Sequence, residues 1–280
     1  MAGYRFCRSD DIPLLVDAYN ACWVPHFGAQ SAITVEDFKR DVRALGLWSS
    51  SCMVAFEADE PIGVLIGAKR DGVANCVHRL AVKPGWERRG HGRHLLTSLA
   101  DKARILGPAR LVAEIPSEWA AIRSFFEKTG FVEEARYVDF VRDGVPELIA
   151  GDPREALLVP ITLDELVESG ACDGSVRRPW ARSVASLRAK GDALVGLAVA
   201  TDRIEAYVLY VARGDGAPTE VWGLGAADEG PGVALLGFLL ARLGAVRIVG
   251  VSEREVPAAM LVALGCVPAG ATIGYVTNQS

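Results

Sequence analysis

Residues 83–96 read K-P-G-W-E-R-R-G-H-G-R-H-L-L. Lys83, Arg88, Arg89 and Arg93 crowd around two glycines, Gly90 and Gly92, with Glu87 as the one acid. Glycine carries no Cβ, so an anion can come close to the backbone N–H groups. A helix that begins here adds its unpaired first-turn N–H groups and the positive end of its dipole. Guanidinium groups match the oxygens of a phosphate. The stretch therefore has the chemistry of a diphosphate-binding turn. A bare G-x-G fits a solvated loop equally well, and it is the order strand, turn, helix that favours the anion site.

That order has to be supplied by the flanking elements. Upstream, 75–82 (N-C-V-H-R-L-A-V) reads as a strand ending at Lys83-Pro84-Gly85. Downstream, Leu95, Leu96, Leu99, Ala103 and Leu106 mark one face of a helix. Before the site, Pro13 after Ser9-Asp10-Asp11 and the run Thr34-Val35-Glu36-Asp37 each read as a helix start. The β-like runs 51–58 and 62–68 flank a hairpin turn at Asp59-Glu60-Pro61. After the site come a strand at 110–115 and a helix marked by Trp119, Ile122, Phe125 and Phe126 that stops at Gly130. A last β-rich piece spans 132–141.

The second half repeats this order. A hairpin pattern surrounds Thr201-Asp202-Arg203, and 220–224 reads as a strand. Gly230-Pro231-Gly232 opens a helix marked by Leu235, Leu236, Leu239 and Leu243, a strand follows at 246–251, and a short helix stops at Gly265. Element order and glycine placement carry this match. Two domains are expected, 1–145 and 150–280, joined by the proline- and glycine-bearing segment 143–153. At the matching turn the second half reads A-A-D-E-G-P-G-V, with two acids and no base, and Pro231 removes a backbone N–H. That half is expected to leave a diphosphate unbound.

The chain has 280 residues, half of them hydrophobic, 23% charged, with a net charge of −5. A packed core is expected and general nucleic-acid binding is not. The six cysteines form no C-x-x-C pair and sit at no metal-ligand spacing with the four histidines. Reduced thiols and no metal are expected. No apolar run is long enough for a membrane span, and the N-terminus does not read as a signal peptide. A cytoplasmic protein without a membrane partner follows as the expectation.

The motif L-A-V-K-P-G-W-E-R-R-G-H-G-R-H-L-L, followed by S-F-F-E-K-T-G-F at 124–131, resembles the GNAT acyltransferase superfamily. The resemblance covers about residues 4–142, with a weakened copy over about 155–277. It implies an α/β (α+β) fold of two tandem GNAT-like domains, each a mixed, mostly antiparallel sheet flanked by helices. It also implies acetyl-CoA as co-substrate. Leu80, Ala81 and Val82 match the strand end that holds the pantetheine arm, and Arg88, Arg89, Gly90, His91, Gly92 and Arg93 match the pyrophosphate loop. Glu87 stands where the family usually has glutamine or arginine, Phe126 where many members have a proton-donating tyrosine, and Trp119 where asparagine is common. Tyr137 or water is the alternative acid.

The resemblance makes a primary amine of a small molecule or peptide the expected acceptor, with direct transfer. Such an amine must lose a proton, and His78 and Glu114 are the candidate bases, directly or through water. Glu57 is a weaker one. His78 is placed by strand alternation on the face of Leu80 and Val82; a hydrogen-bonded, half-buried histidine is the equally weighted alternative. Trp23, Trp48, Trp119 and Trp180 could line an acceptor pocket, though core packing is the default for tryptophan. No cysteine or serine has a histidine partner in a nucleophile motif, which favours direct transfer. A non-catalytic acyl-CoA-binding or regulatory protein is the rival expectation. A homodimer is possible.

Overall fold

The computed structural model describes residues 2–144, 152–214, 216–228 and 230–277. The boundary read over 143–153 lies largely outside these residues, as does Glu229 of the second turn. The chain divides into two compact units. One comprises Met1–Ile115, Trp119–Glu134 and Gly274–Ser280, and the other Pro116–Glu118 and Ala135–Ile273.

In the first unit the order is β1 (Gly3–Phe6), α1 (Ile12–Phe27), α2 (Val35–Leu45), β2 (Met53–Glu57), β3 (Glu60–Arg70), β4 (Ala74–Val82), α3 (His91–Leu106), β5 (Leu111–Pro116) and α4 (Ala120–Glu127). Strands β1 to β4 pair in sequence order, each antiparallel to the next, and β4 pairs with β5 in parallel. A parallel neighbour needs a crossover, and α3 supplies it. Helix α2 starts on a capping box, with Thr34 accepting from Asp37 N–H and Asp37 reaching back to Thr34 N–H. Asp11 instead stands ahead of α1 with no capping bond and holds Arg5 through two oxygens at 2.9 Å.

Alternation settles which face each side chain takes. Val82 lies against Gly92 of α3, and a Cβ on its partner Gly63 would meet Leu95 of the same helix. Arg79, of opposite parity, lies over the Trp23 ring of α1 at 5.2 Å. Helix α3 buries Leu95, Leu96, Leu99 and Ala103 of the stripe read from the sequence, while Leu106, its last member, is 69% exposed at the end of the helix.

In the second unit, β6 (Phe131–Arg142) enters from the first unit, and β7 (Leu158–Pro160), α5 (Leu163–Glu168), α6 (Val184–Arg188), β8 (Val195–Ala200), β9 (Ile204–Val211), β10 (Thr219–Ala226), α7 (Pro231–Leu243), β11 (Val246–Ser252), α8 (Ala258–Ala263) and β12 (Val267–Thr277) follow. The pairing runs β7-β8-β9-β10-β11-β6, with β10 and β11 parallel. One core gathers Leu236, Leu239 and Leu240 of α7 with Val208, Leu224 and Ile248. Another sets Leu163, Leu166 and Leu187 of α5 and α6 against Ala198, Tyr207 and Leu209.

The last strand does not finish in the second unit. Its end, from Gly274, belongs to the first, where Thr277 Oγ1 accepts from Leu111 N–H at 3.4 Å and Tyr275 donates to Glu127 at 3.0 Å.

Candidate acyl-CoA site

Pairing between β4 and β5 stops at Val77–Ala113, although β4 runs on to Val82 and β5 to Pro116. The two strands therefore diverge. Lys83 N–H donates to Ile62 O on the β3 side at 2.9 Å. In an antiparallel ladder the residues with groups facing a partner alternate. Ala81 thus turns its N–H and C=O toward β3, while Leu80 and Val82 turn theirs into the gap. One of those groups, Val82 O, accepts from His26 Nε2 of α1 at 2.8 Å.

The basic turn follows directly. Gly85, Arg88 and Gly90 have φ of +84°, +63° and +92°. Left-handed residues among right-handed ones turn successive N–H groups to one side and form an anion-binding concavity. Gly90 is the N-cap of α3, and no side chain caps that helix. The first-turn N–H groups of His91, Gly92 and Arg93 are presented without a side-chain acceptor. A Cβ on Gly90 would meet nothing within 4 Å, so the cradle is open at this point.

His91 is buried, its Nδ1 is 2.6 Å from the Tyr4 hydroxyl, and the Tyr4 ring lies 3.9 Å from that of His94. With the phenol donating, the His91 proton sits on Nε2. Tyr4 so ties β1 to the first turn of α3. Arg89 lies over the Trp86 ring at 4.8 Å, which holds its cation at the turn. Glu87 points back into the start of the loop, where Oε2 accepts from Gly85 N–H at 3.1 Å and Oε1 lies 3.9 Å from His26 Nε2. Its charge is directed at Gly85 and His26, and the bare N–H groups lie further along, at 91–93.

Strand alternation does not carry past His78. The β3–β4 register shifts there, Gly67 facing Val77 and Ile66 facing Arg79, so His78 is the extra residue of a β-bulge. Burial, with the Arg79 cation adding to it, pushes its imidazole down to about 3. The ring is neutral at pH 7. Glu114 sits beyond the last β4–β5 pair and acts electrostatically on Arg70 and on the buried Cys76 thiol, which burial drives well above its ordinary range. Phe126 is buried against Phe131 at 5.1 Å and Tyr275 at 6.4 Å. Tyr137 lies in the second unit, opposite Ser252.

Trp119 stacks on Phe27 at 5.3 Å, and Phe27 on Trp23 at 4.3 Å, so these two tryptophans share one aromatic ladder with α1. Trp48 is 51% exposed, and Trp180 is buried in the second unit.

The second unit has the same frame, with its own side chains bonded to the backbone groups at the strand divergence and at the turn. Parallel pairing of β10 and β11 stops at Val221–Ile248, and Trp222 is the bulged residue, as His78 is in β4. Here the Arg182 guanidinium spans the diverging strands, with Nε donating to Trp222 O at 2.6 Å and Nη1 to Gly250 O at 2.7 Å. In the turn, Asp228 Oδ1 accepts from Gly230 N–H at 3.1 Å and Gly232 N–H at 2.8 Å. A carboxylate of the chain thus takes the place an external anion would need. The acid count of this turn was legible in the sequence. The Arg182 bridge was not, because Arg182 lies 40 residues before Trp222 in an irregular segment.

Residues 48–133 match the acetyltransferase (GNAT) domain family. Over its whole length the fold is that of tandem GNAT proteins. A tandem GNAT protein from the clavulanic acid biosynthesis pathway aligns at TM-score 0.61 with 20% identity, over 99% of this chain and 98% of that one. A GCN5-related N-acetyltransferase from Sphaerobacter thermophilus aligns at 0.63 with 17% identity, over 99% and 95%. One from Anabaena variabilis aligns at 0.62 with 15% identity, over 99% and 72%. No curated protein matches the chain. No helix among the described residues is long and apolar enough to cross a membrane.

Proposed function

We propose that the protein is an N-acetyltransferase that moves the acetyl group of acetyl-CoA directly to a primary amine of a small molecule or peptide. One observation carries the reading. Of two turns on the same frame, the first is basic, uncapped and open at Gly90, and the second is closed by its own Asp228. In this reading the backbone of 90–93 holds the pyrophosphate, with Arg88, Arg89 and Arg93 around it. The gap-facing groups of Leu80 and Val82 hold the pantetheine arm, and Ala81 keeps that strand end paired to β3. The thioester supplies an activated acyl carbon.

The chain's own task is then to take a proton from the attacking amine. Glu114 and the neutral His78 are the candidates, each directly or through water. A base pushed down to about 3 accepts a proton weakly, which favours Glu114. Phe126 cannot donate to the departing sulfur, and a thiol with a free pKa of about 8.5 can leave as thiolate without that help. Direct transfer is supported by the thiols: all six are buried, and burial pushes Cys7, Cys22 and Cys52 up to about 12, so they are poor nucleophiles at neutral pH. Reduced, buried thiols suit a cytoplasmic setting. The second unit takes no acyl-CoA and is left for a structural part or a homodimer surface.

Phe126 and the weak base at His78 favour a second reading, a non-catalytic acyl-CoA sensor. Acetyl-CoA with a broad panel of amines, followed by release of free CoA thiol, separates the two. Release with any amine class supports the enzyme. Binding without release across the panel supports the sensor, and no binding sinks both.

A further inference from the structure

The second unit contains a cavity of about 790 Å³, within the range of small-molecule sites. It opens beside the end of β10 at Leu224 and Ala226, under the β8–β9 hairpin, with Arg178, Tyr207 and Glu255 in its wall. These three are built into the fold. The side chains of Arg178 and Glu255 are 6% and 3% exposed, and Tyr207 is 3% exposed.

Arg178, the buried cation of this wall, shares its carboxylate with a second cation, Arg182, which stands behind the lining; Asp173, Asp202 and Glu205 are also on the lining. Glu255 is shared between two guanidiniums: Oε1 accepts from Arg178 Nε at 2.9 Å and from Arg182 Nη2 at 2.8 Å, and Oε2 from Arg182 Nη1 at 2.9 Å. Two buried cations therefore meet one buried anion. Arg182 spends its remaining donors on Trp222 O and Gly250 O. Arg178 donates Nη1 to Asp173 O at 2.8 Å, and its Nη2 has no acceptor among the described residues. Acids at the rim are engaged locally: Asp173 by Ser175, and Glu205 by Arg203 and Thr201. Arg254, also on the lining, is exposed and has no ion pair among the described residues. A buried charge is costly unless it is paired, and a guanidinium with a free N–H edge pairs best with an oxyanion.

We infer that this cavity is a binding site for a small organic anion, a carboxylate or phosphate ester, whose oxygens accept from Arg178 Nη2 and the Tyr207 hydroxyl and whose body lies against Val176, Ile204 and Leu224. Burial pushes the Tyr207 phenol far above its ordinary range, with its neighbour Cys172, to which the hydroxyl is hydrogen-bonded, adding to the shift, so it stays protonated at any working pH and turns from Cys172 to the ligand on binding. The site is formed within the second unit and is independent of the acyl-CoA reading.

The test is calorimetric titration of the full chain with benzoate and with phenyl phosphate. Inorganic phosphate stands for the head alone and benzyl alcohol for the body alone. At least one aryl anion is expected to saturate one site and to bind about tenfold or more tighter than benzyl alcohol, since hydrogen bonds to a charged group are worth that much. The tighter of the two identifies the head group. Tyr207→Phe and Arg178→Gln should each weaken it about tenfold or more, and Gly90→Glu, in the other unit, should leave it unchanged. Tyr207→Phe removes one oxygen and decides the matter if Arg178→Gln does not fold. Absence of saturable binding, equal binding of benzyl alcohol, unchanged binding in Tyr207→Phe, or loss in Gly90→Glu would overturn the inference.

Discussion

Arg182→Met is expected to destabilise the second unit. The guanidinium is fully buried and joins Trp222 O, Gly250 O and both oxygens of Glu255 at 2.6–2.9 Å. Methionine fills much of the same volume but makes none of these bonds. Two carbonyl oxygens lose their donor and Glu255 keeps only Arg178. Removing one partner of a buried ion pair costs about 3–5 kcal/mol. Here Glu255 keeps its bond to Arg178, and the cost comes from the two buried carbonyl oxygens left without a donor and from the carboxylate's lost Arg182 bonds. A shift of this size lowers the unfolding temperature by roughly 10 °C.

The assay is calorimetric unfolding of the full chain, with Glu255→Gln and the double variant alongside. Glu255→Gln breaks the same Arg182 bonds and also those to Arg178, so the double variant should cost less than the sum of the two single variants, with a coupling of about 1 kcal/mol or more. A loss below about 1 kcal/mol, the range of a surface change, or strictly additive single effects would refute the buried-pair argument.

Three further outcomes follow from the same physics. His78 binds a proton near pH 6.5 when unfolded and only near pH 3 when folded. Protons therefore favour the unfolded chain between those values, and stability falls as pH drops through that window; from pH 6.5 to 4.5 the loss is at most about 3 kcal/mol, an upper bound because the ring is partly exposed. His78→Gln should flatten that part of the pH–stability curve, and urea midpoints at pH 7 and 4.5 measure it. Tyr4→Phe removes the bond to His91, costs about 1 kcal/mol of stability and weakens acetyl-CoA binding several-fold, read by urea unfolding and by titration. Asp228→Gly frees two N–H groups of the second turn but leaves the Arg182 bridge, so acetyl-CoA stoichiometry by calorimetry should not rise.

The hairpin around 59–61, the β4 strand, the turn and the α3 stripe could be read from the sequence because each is local: alternation, glycine placement and helical spacing lie within a dozen residues. The bulge at His78 could not, since a register shift is a property of two strands and changes which residues face which way without altering the composition of either. The same holds for the divergence of β4 and β5, which leaves Leu80 and Val82 facing the gap but turns Ala81 to β3. The end of β12 joins Leu111 and Glu127 from more than a hundred residues away, where no periodicity points. Residues 158–193, including α5 and α6, carry short helices and turns with too few repeats to show a period. The closing of the second turn was half visible, as acids in the sequence, and half hidden in Arg182.

Acetyl-CoA titration by calorimetry tests the central claim most directly. The account predicts one molecule bound per chain, with affinity reduced about tenfold or more by Gly90→Glu, which puts a carboxylate and a left-handed non-glycine residue at the N-cap of α3. Two molecules per chain, none, or unchanged affinity in Gly90→Glu would contradict it.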